Sequence, residues 1–300
     1  MKPASFDYYS PESLTEALQL LEQHRDAARP LAGGQSLVPM MNFRLARPAL
    51  LIDLNTLREL SFLNVVDGEL RIGAMTRQRA LERSAVVAAG WPLLQEAARH
   101  IGHIHIRNRG TIGGSIAHAY PSAELPLAMM ALDASFLLRS MQGKRIVPAR
   151  DFFVDVMTTI LEPSELLVEI RVPQAESRTG WGFQEVSRRH GDFALAAVAS
   201  VISLREDRSI DKVRLVFTGA KPHLSKKTDP LIGQKPDRTI FSGIAATAAA
   251  ELDTESDIHA SSEYRREVSQ VLARRVLEEA AARARNLNVT PGTEAEEKQK

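Results

Sequence analysis

The chain has no cysteine. That excludes disulfides, thiol nucleophiles and zinc sites built on thiolates. It also excludes iron–sulfur clusters of the ordinary kind, which are held by cysteine. If the chain carries electrons, any such cluster belongs to another chain. A charge of one sign is missing too. Lys and Arg number 38 against 37 Asp and Glu, a net charge of +1, which argues against nucleic acid or an anionic membrane surface as partner. No stretch approaches the ~20 apolar residues that span a bilayer. The start, Met1 to Phe6, lacks a signal peptide's apolar segment, so the expected location is the cytoplasm. No Gly-Lys-Ser/Thr ending marks a P-loop, and no Gly-x-Gly-x-x-Gly opens a helix. No general acid/base pair stands out either. What remains is a chain of 300 residues with 44% hydrophobic and 25% charged residues, ordinary for a soluble protein and long enough for two domains.

Against that background two glycine pairs stand out. One lies in Leu31-Ala32-Gly33-Gly34-Gln35-Ser36-Leu37, the other in Arg107-Asn108-Arg109-Gly110-Thr111-Ile112-Gly113-Gly114-Ser115. Each is closely followed by serine, and each is read as a turn where an apolar stretch breaks. Glycine lets a backbone approach a bulky anion and point amide N–H groups at phosphate oxygens. Two such loops suit the two phosphates of a dinucleotide, gripped from opposite sides. The dipeptide alone is weak, because 17 glycines make about one Gly-Gly pair by chance, and tight connections are the plain alternative.

Periodicity supplies the frame. Ser10-Pro11-Glu12 reads as a helix start, followed by Leu14, Ala17, Leu18 and Leu21 at helical spacing. Pro30 to Ala32 and Leu50 to Leu54 read as strands. Asp67-Gly68 signals a hairpin, and Pro92 begins a helix running toward the second loop. Ala123 to Leu132 reads as helix, Ser135–Arg139 with Lys144–Val147 as a hairpin, and Glu165 to Val172 as a strand. The polar run Pro173 to Gly180 reads as a domain boundary. Beyond it, Phe193–Leu204 and Lys212–Phe217 suggest strands, with alanine-rich helices around 243–252 and 264–286. The tail, 288–300, is polar and expected to be disordered. The mixed order implies α+β architecture.

The two loops, their order and their flanks resemble the FAD-binding subunit of molybdenum hydroxylases, the group of the carbon monoxide dehydrogenase medium chain and the central domain of xanthine dehydrogenase. The residues that carry it are Ala32 to Leu37, then Ile106 to His118, then Pro121, with Phe183 to Phe193 also matching. The resemblance covers residues 1 to 287. It implies a two-lobed FAD-binding domain of the vanillyl-alcohol-oxidase (PCMH) type over 1–175, with lobes of about 1–57 and 58–175. A smaller α+β domain follows over 176–287. By resemblance, Ala32, Gly33, Gly34, Gln35, Ser36 and Leu37 cradle the pyrophosphate of FAD, and Thr111, Gly113, Gly114 and Ser115 close over it, with His118 in the same motif. Ile101 and Gly102 lie near the isoalloxazine ring, while Leu166 and Leu167 pack against the cofactor. Glu124 takes the place of an aspartate that bonds cofactor hydroxyls. Gln184 falls where xanthine dehydrogenase has a lysine near the flavin, and Tyr120 replaces a small or acidic residue.

The implied function is an electron-transfer subunit of a multi-subunit oxidoreductase. A large subunit would hold the molybdenum cofactor and select the organic substrate. A small subunit would hold 2Fe–2S clusters, and this chain would pass electrons through FAD to an external acceptor. The alternatives are a self-sufficient flavin oxidase of the same fold and a scaffold that has lost FAD. Of the remaining signals, His100, His103, His105 and His118 cluster around the second loop, with His103 and His105 on one strand face. They read as polar lining rather than metal ligands. Arg107 and Arg109 read either as contacts to phosphate or a partner, or as a solvated loop.

Overall fold

The computed structural model describes residues 1–286, so the tail 288–300 lies outside the described residues. Three short strands, β1 (Asp7–Tyr9), β2 (Ala28–Leu31) and β3 (Leu50–Asp53), form a parallel sheet in the order β1-β3-β2. Parallel neighbours need crossovers, supplied here by α1 (Leu14–His24) and α2 (Leu37–Asn42). The first helix begins later than its Ser-Pro signal. Ser13, not Ser10, is the cap, and its hydroxyl accepts from the Glu16 N–H at 3.2 Å. The predicted face (Leu14, Ala17, Leu18, Leu21) is buried against β3 and against Leu166 and Val168 of the next sheet.

That next sheet is antiparallel, in the order β4-β5-β10-β6-β7. Its strands are β4 (Leu63–Val66), β5 (Glu69–Gly73), β6 (Ser135–Ser140), β7 (Gly143–Pro148) and β10 (Leu166–Val172). Both predicted hairpins are present. Between β5 and β6 run six helices: α3 (Gln78–Arg83), α4 (Ala85–Gly90), α5 (Pro92–His100), α6 (Ile104–Arg109), α7 (Ile112–His118) and α8 (Glu124–Ala131). Helix α9 (Ala149–Phe152) and the small pair β8 (Phe153–Asp155) and β9 (Thr158–Thr159) complete this part. Helix α8 is buried along its whole length, with helices α5, α7 and α9 around it and a third sheet against it.

That third sheet is β11 (Thr179–Ser187), β12 (Ala194–Leu204), β13 (Ile210–Phe217) and β14 (His223–Leu224), antiparallel in that order. Helices α10 (Arg238–Ala250) and α11 (Ser262–Asn286) cover one face. The other face meets α5 and α8. Strand β12 therefore buries alternate residues in different cores, Ala197 and Ala199 on the α8 side and Ala196 and Val198 under α11. Burial on both faces explains its unbroken apolar run. The architecture is α+β, as expected.

Candidate functional site

The first glycine pair lies in the loop from β2 to α2, at the C-terminal end of the parallel sheet. Gly34 has φ of +71°, a conformation that favours glycine. Among the described residues, none accepts a hydrogen bond from the backbone N–H of Gly33, Gly34, Gln35, Ser36 or Leu37. Five consecutive free donors are unusual, since backbone groups are nearly always paired or solvated. Together they form a concave nest suited to an anion. The loop is stiffened from within, where Gln35 Nε2 donates to the Gly33 carbonyl at 3.0 Å.

The second pair departs from the sequence reading. Gly113 and Gly114 do not form a turn; they lie in the first turn of α7. Thr111 caps that helix, and its hydroxyl oxygen accepts from the Gly114 N–H at 3.0 Å. The Ile112 N–H donates to Thr76 O at 3.0 Å and the Gly113 N–H to Ala74 O at 2.9 Å. The amides of this loop are thus already engaged. Gly113 packs against Ala74 and Thr111 is buried, so the part of this loop left to a ligand is the half-buried Gly114 and Ser115.

The two loops meet. A Cβ on Gly33 would overlap the Arg109 carbonyl oxygen and stand 2.7 Å from Gly110 Cα. A Cβ on Gly114 would stand 3.4 Å from Ala32 Cβ. A nest of free N–H groups therefore lies beside a bare glycine surface, with Arg77 and Arg109 at the rim. Of the predicted residues, Ala32 and Gly33 of the first loop thus meet Gly114 and its capping Thr111 in the second, while Gly113 packs on Ala74.

Arg107 is neither a phosphate contact nor part of a solvated loop. It is buried, bonded to Glu82 through Nε at 2.8 Å, and donates to the carbonyls of Ile101 and Gly102 at 2.7 and 2.9 Å. It fixes the bend at Ile101-Gly102, where Gly102 has φ of +42°. His103 and His105 share no strand; His103 caps α6 and His105 lies within it. His118 stacks on Tyr120, with ring centroids 6.1 Å apart, and Tyr120 meets the exposed Phe193 at 4.4 Å.

Glu124, at the first position of α8, is buried, and burial pushes its pKa up to about 8. Beside it lies an ion pair that the sequence did not disclose. His100 Nδ1 is 3.2 Å from Glu185 Oε1, and Glu96 lies 3.5 Å from the other ring nitrogen. The bond to Glu185 holds the imidazole above its ordinary pKa. The second Glu185 oxygen is buried without a partner. Alternation along β11 explains the pairing, since Phe183 and Glu185 face α5 while Gln184 faces α11. Gln184 consequently bonds Glu279 on α11 and does not join the loop cluster. Leu166 and Leu167 are buried in the cores on opposite faces of β10.

Residues 4–175 match the family described as "FAD binding domain in molybdopterin dehydrogenase". The chain belongs to the FAD-binding medium-subunit family of the molybdenum hydroxylases. Residues 181–280 match the family's partner domain, "CO dehydrogenase flavoprotein C-terminal domain". The alpha subunit of the 6-hydroxypseudooxynicotine dehydrogenase complex of Paenarthrobacter nicotinovorans is 40% identical over 95% of this chain and 97% of its own length. The carbon monoxide dehydrogenase medium chain of Hydrogenophaga pseudoflava is 37% identical over 94% and 99%. Among solved structures, carbon monoxide dehydrogenase from that organism superposes with a TM-score of 0.91 at 36% identity, covering 94% of this chain and 99% of that one. Quinoline 2-oxidoreductase from Pseudomonas putida 86 gives 0.89 at 35%, covering 95% and 99%. Among the described residues, no helix is long and apolar enough to cross a membrane.

The residues that sequence reasoning missed are Asn55 and Arg77, bonded to the two loops, and Glu185, beside Glu124. Only Asn55 had a local signal. It follows Asp53 by two positions, and its N–H donates to the Asp53 carboxylate at 3.0 Å, an Asx turn at the end of β3.

Proposed function

We propose that this chain binds FAD across the two glycine loops and serves as the electron-transfer subunit of a molybdenum hydroxylase. The observation that carries the reading is the run of five unpartnered N–H groups from Gly33 to Leu37 beside a glycine wall. Many donors to an anion, in a site where a side chain would intrude, fit a pyrophosphate. On this reading Ala32 to Leu37 hold the two phosphates, and Ser115 adds a hydroxyl donor from the helix that Thr111 caps. Gly114 permits the close approach, and Gly113 seats the loop on Ala74. Ile101, Gly102, His118, Leu166 and Leu167 shape the remainder of the binding region. Glu124, neutral at pH 7 because it is buried, has an acid proton to donate to a cofactor hydroxyl.

FAD supplies the electron-carrying chemistry, and the protein supplies binding and electrostatics. The chain would take electrons from 2Fe–2S clusters of a small subunit and pass them to an external acceptor, with a molybdenum-cofactor subunit as the third partner. The absence of cysteine fits that division of labour. We assign residues 1–175 to the FAD domain and 176–287 to the C-terminal domain.

Purification of the chain with its native partners tests this. The expected result is one FAD released per chain on denaturation, with iron and molybdenum in the same sample. FAD without either metal, from a preparation that retained every partner, would indicate a self-sufficient oxidase. Metals without FAD in an intact complex would indicate a scaffold.

A further inference from the structure

We propose that Arg77 is a positioning residue, a clasp that sets the separation of the two glycine loops. Arg77 lies just before α3, in the segment whose backbone carries the second loop. The Gln78 N–H donates to Gly110 O at 2.9 Å, and the Ile112 N–H to Thr76 O at 3.0 Å. One terminal guanidinium nitrogen donates to the Arg109 carbonyl, and the other donates to Asn55 Oδ1 at 2.7 Å. Asn55 in turn donates through Nδ2 to the Ala32 carbonyl at 2.9 Å. It is itself oriented by Asp53, which accepts from the Tyr8 hydroxyl. A continuous chain of bonds thus runs from Ala32 in the first loop to Arg109 in the second.

The Arg109 carbonyl is also the group against which Gly33 packs. Steric contact and clasp converge on one atom, so a change in the clasp alters the width of the gap directly. Arginine is the residue type for this task. Its planar fork reaches two acceptors in fixed directions, whereas lysine is a point charge on a flexible stem. Placing two cations side by side is costly, and burial together with the Arg109 charge depresses the Arg77 pKa. The Asp53 carboxylate opposes that depression.

The inference rests on the FAD reading for its ligand, but its geometry does not. The native complex is prepared with the wild-type chain and with Arg77→Met, Arg77→Lys and Asn55→Ala. FAD retained per chain after dilution is measured, with exchange of the hydrogen-bonded amides of each loop, Val38 and Met40 in the first and Gly110, Ile112 and Gly113 in the second. Loss of a charged hydrogen bond predicts about tenfold weaker FAD retention in Arg77→Met. Arg77→Lys should not restore it, Asn55→Ala should match it, and exchange should rise in both loops together.

Retention restored by lysine would make charge, not the fork, responsible and would overturn the clasp. So would wild-type retention in Arg77→Met, or an exchange increase spread over the whole chain. A wild-type complex without FAD would sink the functional reading alone, and the exchange comparison would still decide the clasp.

Discussion

Gly33 and Gly110 face each other at backbone distance: a Cβ on Gly33 would stand 2.7 Å from Gly110 Cα and overlap the carbonyl of Arg109. One loop comes from the parallel sheet and the other from the helices over the antiparallel sheet. Gly33→Ala should therefore push the two apart. Overpacking of this kind costs about 1–3 kcal/mol, and the variant should show a lowered unfolding midpoint together with reduced FAD content. Unchanged values for both would mean that the loops are free to separate.

Gly114→Val tests the opposite wall. Its Cβ would stand 2.8 Å from the capping Thr111 hydroxyl and 3.4 Å from Ala32, and its methyl groups would enter the space assigned to the phosphates. FAD occupancy of the purified complex should fall at least about tenfold, since a cradle built for close backbone approach cannot accept a branched side chain. Full occupancy would displace the pyrophosphate from this position.

Arg107→Met should be among the most damaging single changes. It removes one of the two arginines that bond Glu82, Arg79 being the other, and frees the carbonyls of Ile101 and Gly102. Loss of hydrogen bonds from a charged group costs roughly 1.5–3 kcal/mol. Chemical denaturation should detect the loss. Glu82→Gln alone should cost less, because Arg107 then still holds the carbonyls of Ile101 and Gly102.

Glu124 predicts a pH dependence of definite sign. Its folded-state pKa is raised from 4.5 to about 8, so between these values the folded chain holds a proton that the unfolded chain has released. Stability should therefore fall as pH rises through this window, by at most about 1.4 kcal/mol per pH unit. Glu124→Gln should flatten the slope between pH 5 and pH 8 in unfolding curves. An unchanged slope would show the carboxyl to be ionised when buried.

His100 contributes with the same sign, although its proton creates a charge instead of removing one. Glu185 raises its folded pKa above 6.5, so its contribution is complete below the unfolded value and is lost as pH rises through the raised one. His100→Gln should destabilise the chain at pH 6 more than at pH 9. Equal losses at both would make the contact with Phe183, 5.0 Å between ring centroids, the larger part of its role.

Features with local causes were legible in the sequence. The Asp67-Gly68 hairpin, the Pro92 helix and the long apolar strands needed only turn chemistry and periodicity. Helix α7 did not read as one, because Gly113-Gly114 disfavours helix locally. It forms because Thr111 caps it and because Thr76 and Ala74, more than thirty residues earlier, accept its first N–H groups. The start of β11 was read as part of a polar boundary, since only its neighbours on two faces give its alternation meaning. Arg77 belongs to no motif, and Glu185 lies in a matching stretch that assigned it no role. Each owes its place to a partner distant in sequence, Asn55 and His100, and no spacing rule could have joined them.

The donor nest is attached to the parallel sheet, and its opposing wall to residues beyond the antiparallel hairpin at Asp67-Gly68. A chain halted between Asn55 and Arg77 would hold half a receptor, however well that half had folded. On the proposed reading, flavin has nothing to grip until both sheets have closed on each other, and its binding then favours that state alone by mass action. Cofactor loading would come late in biogenesis, and the yellow of a preparation would count finished molecules.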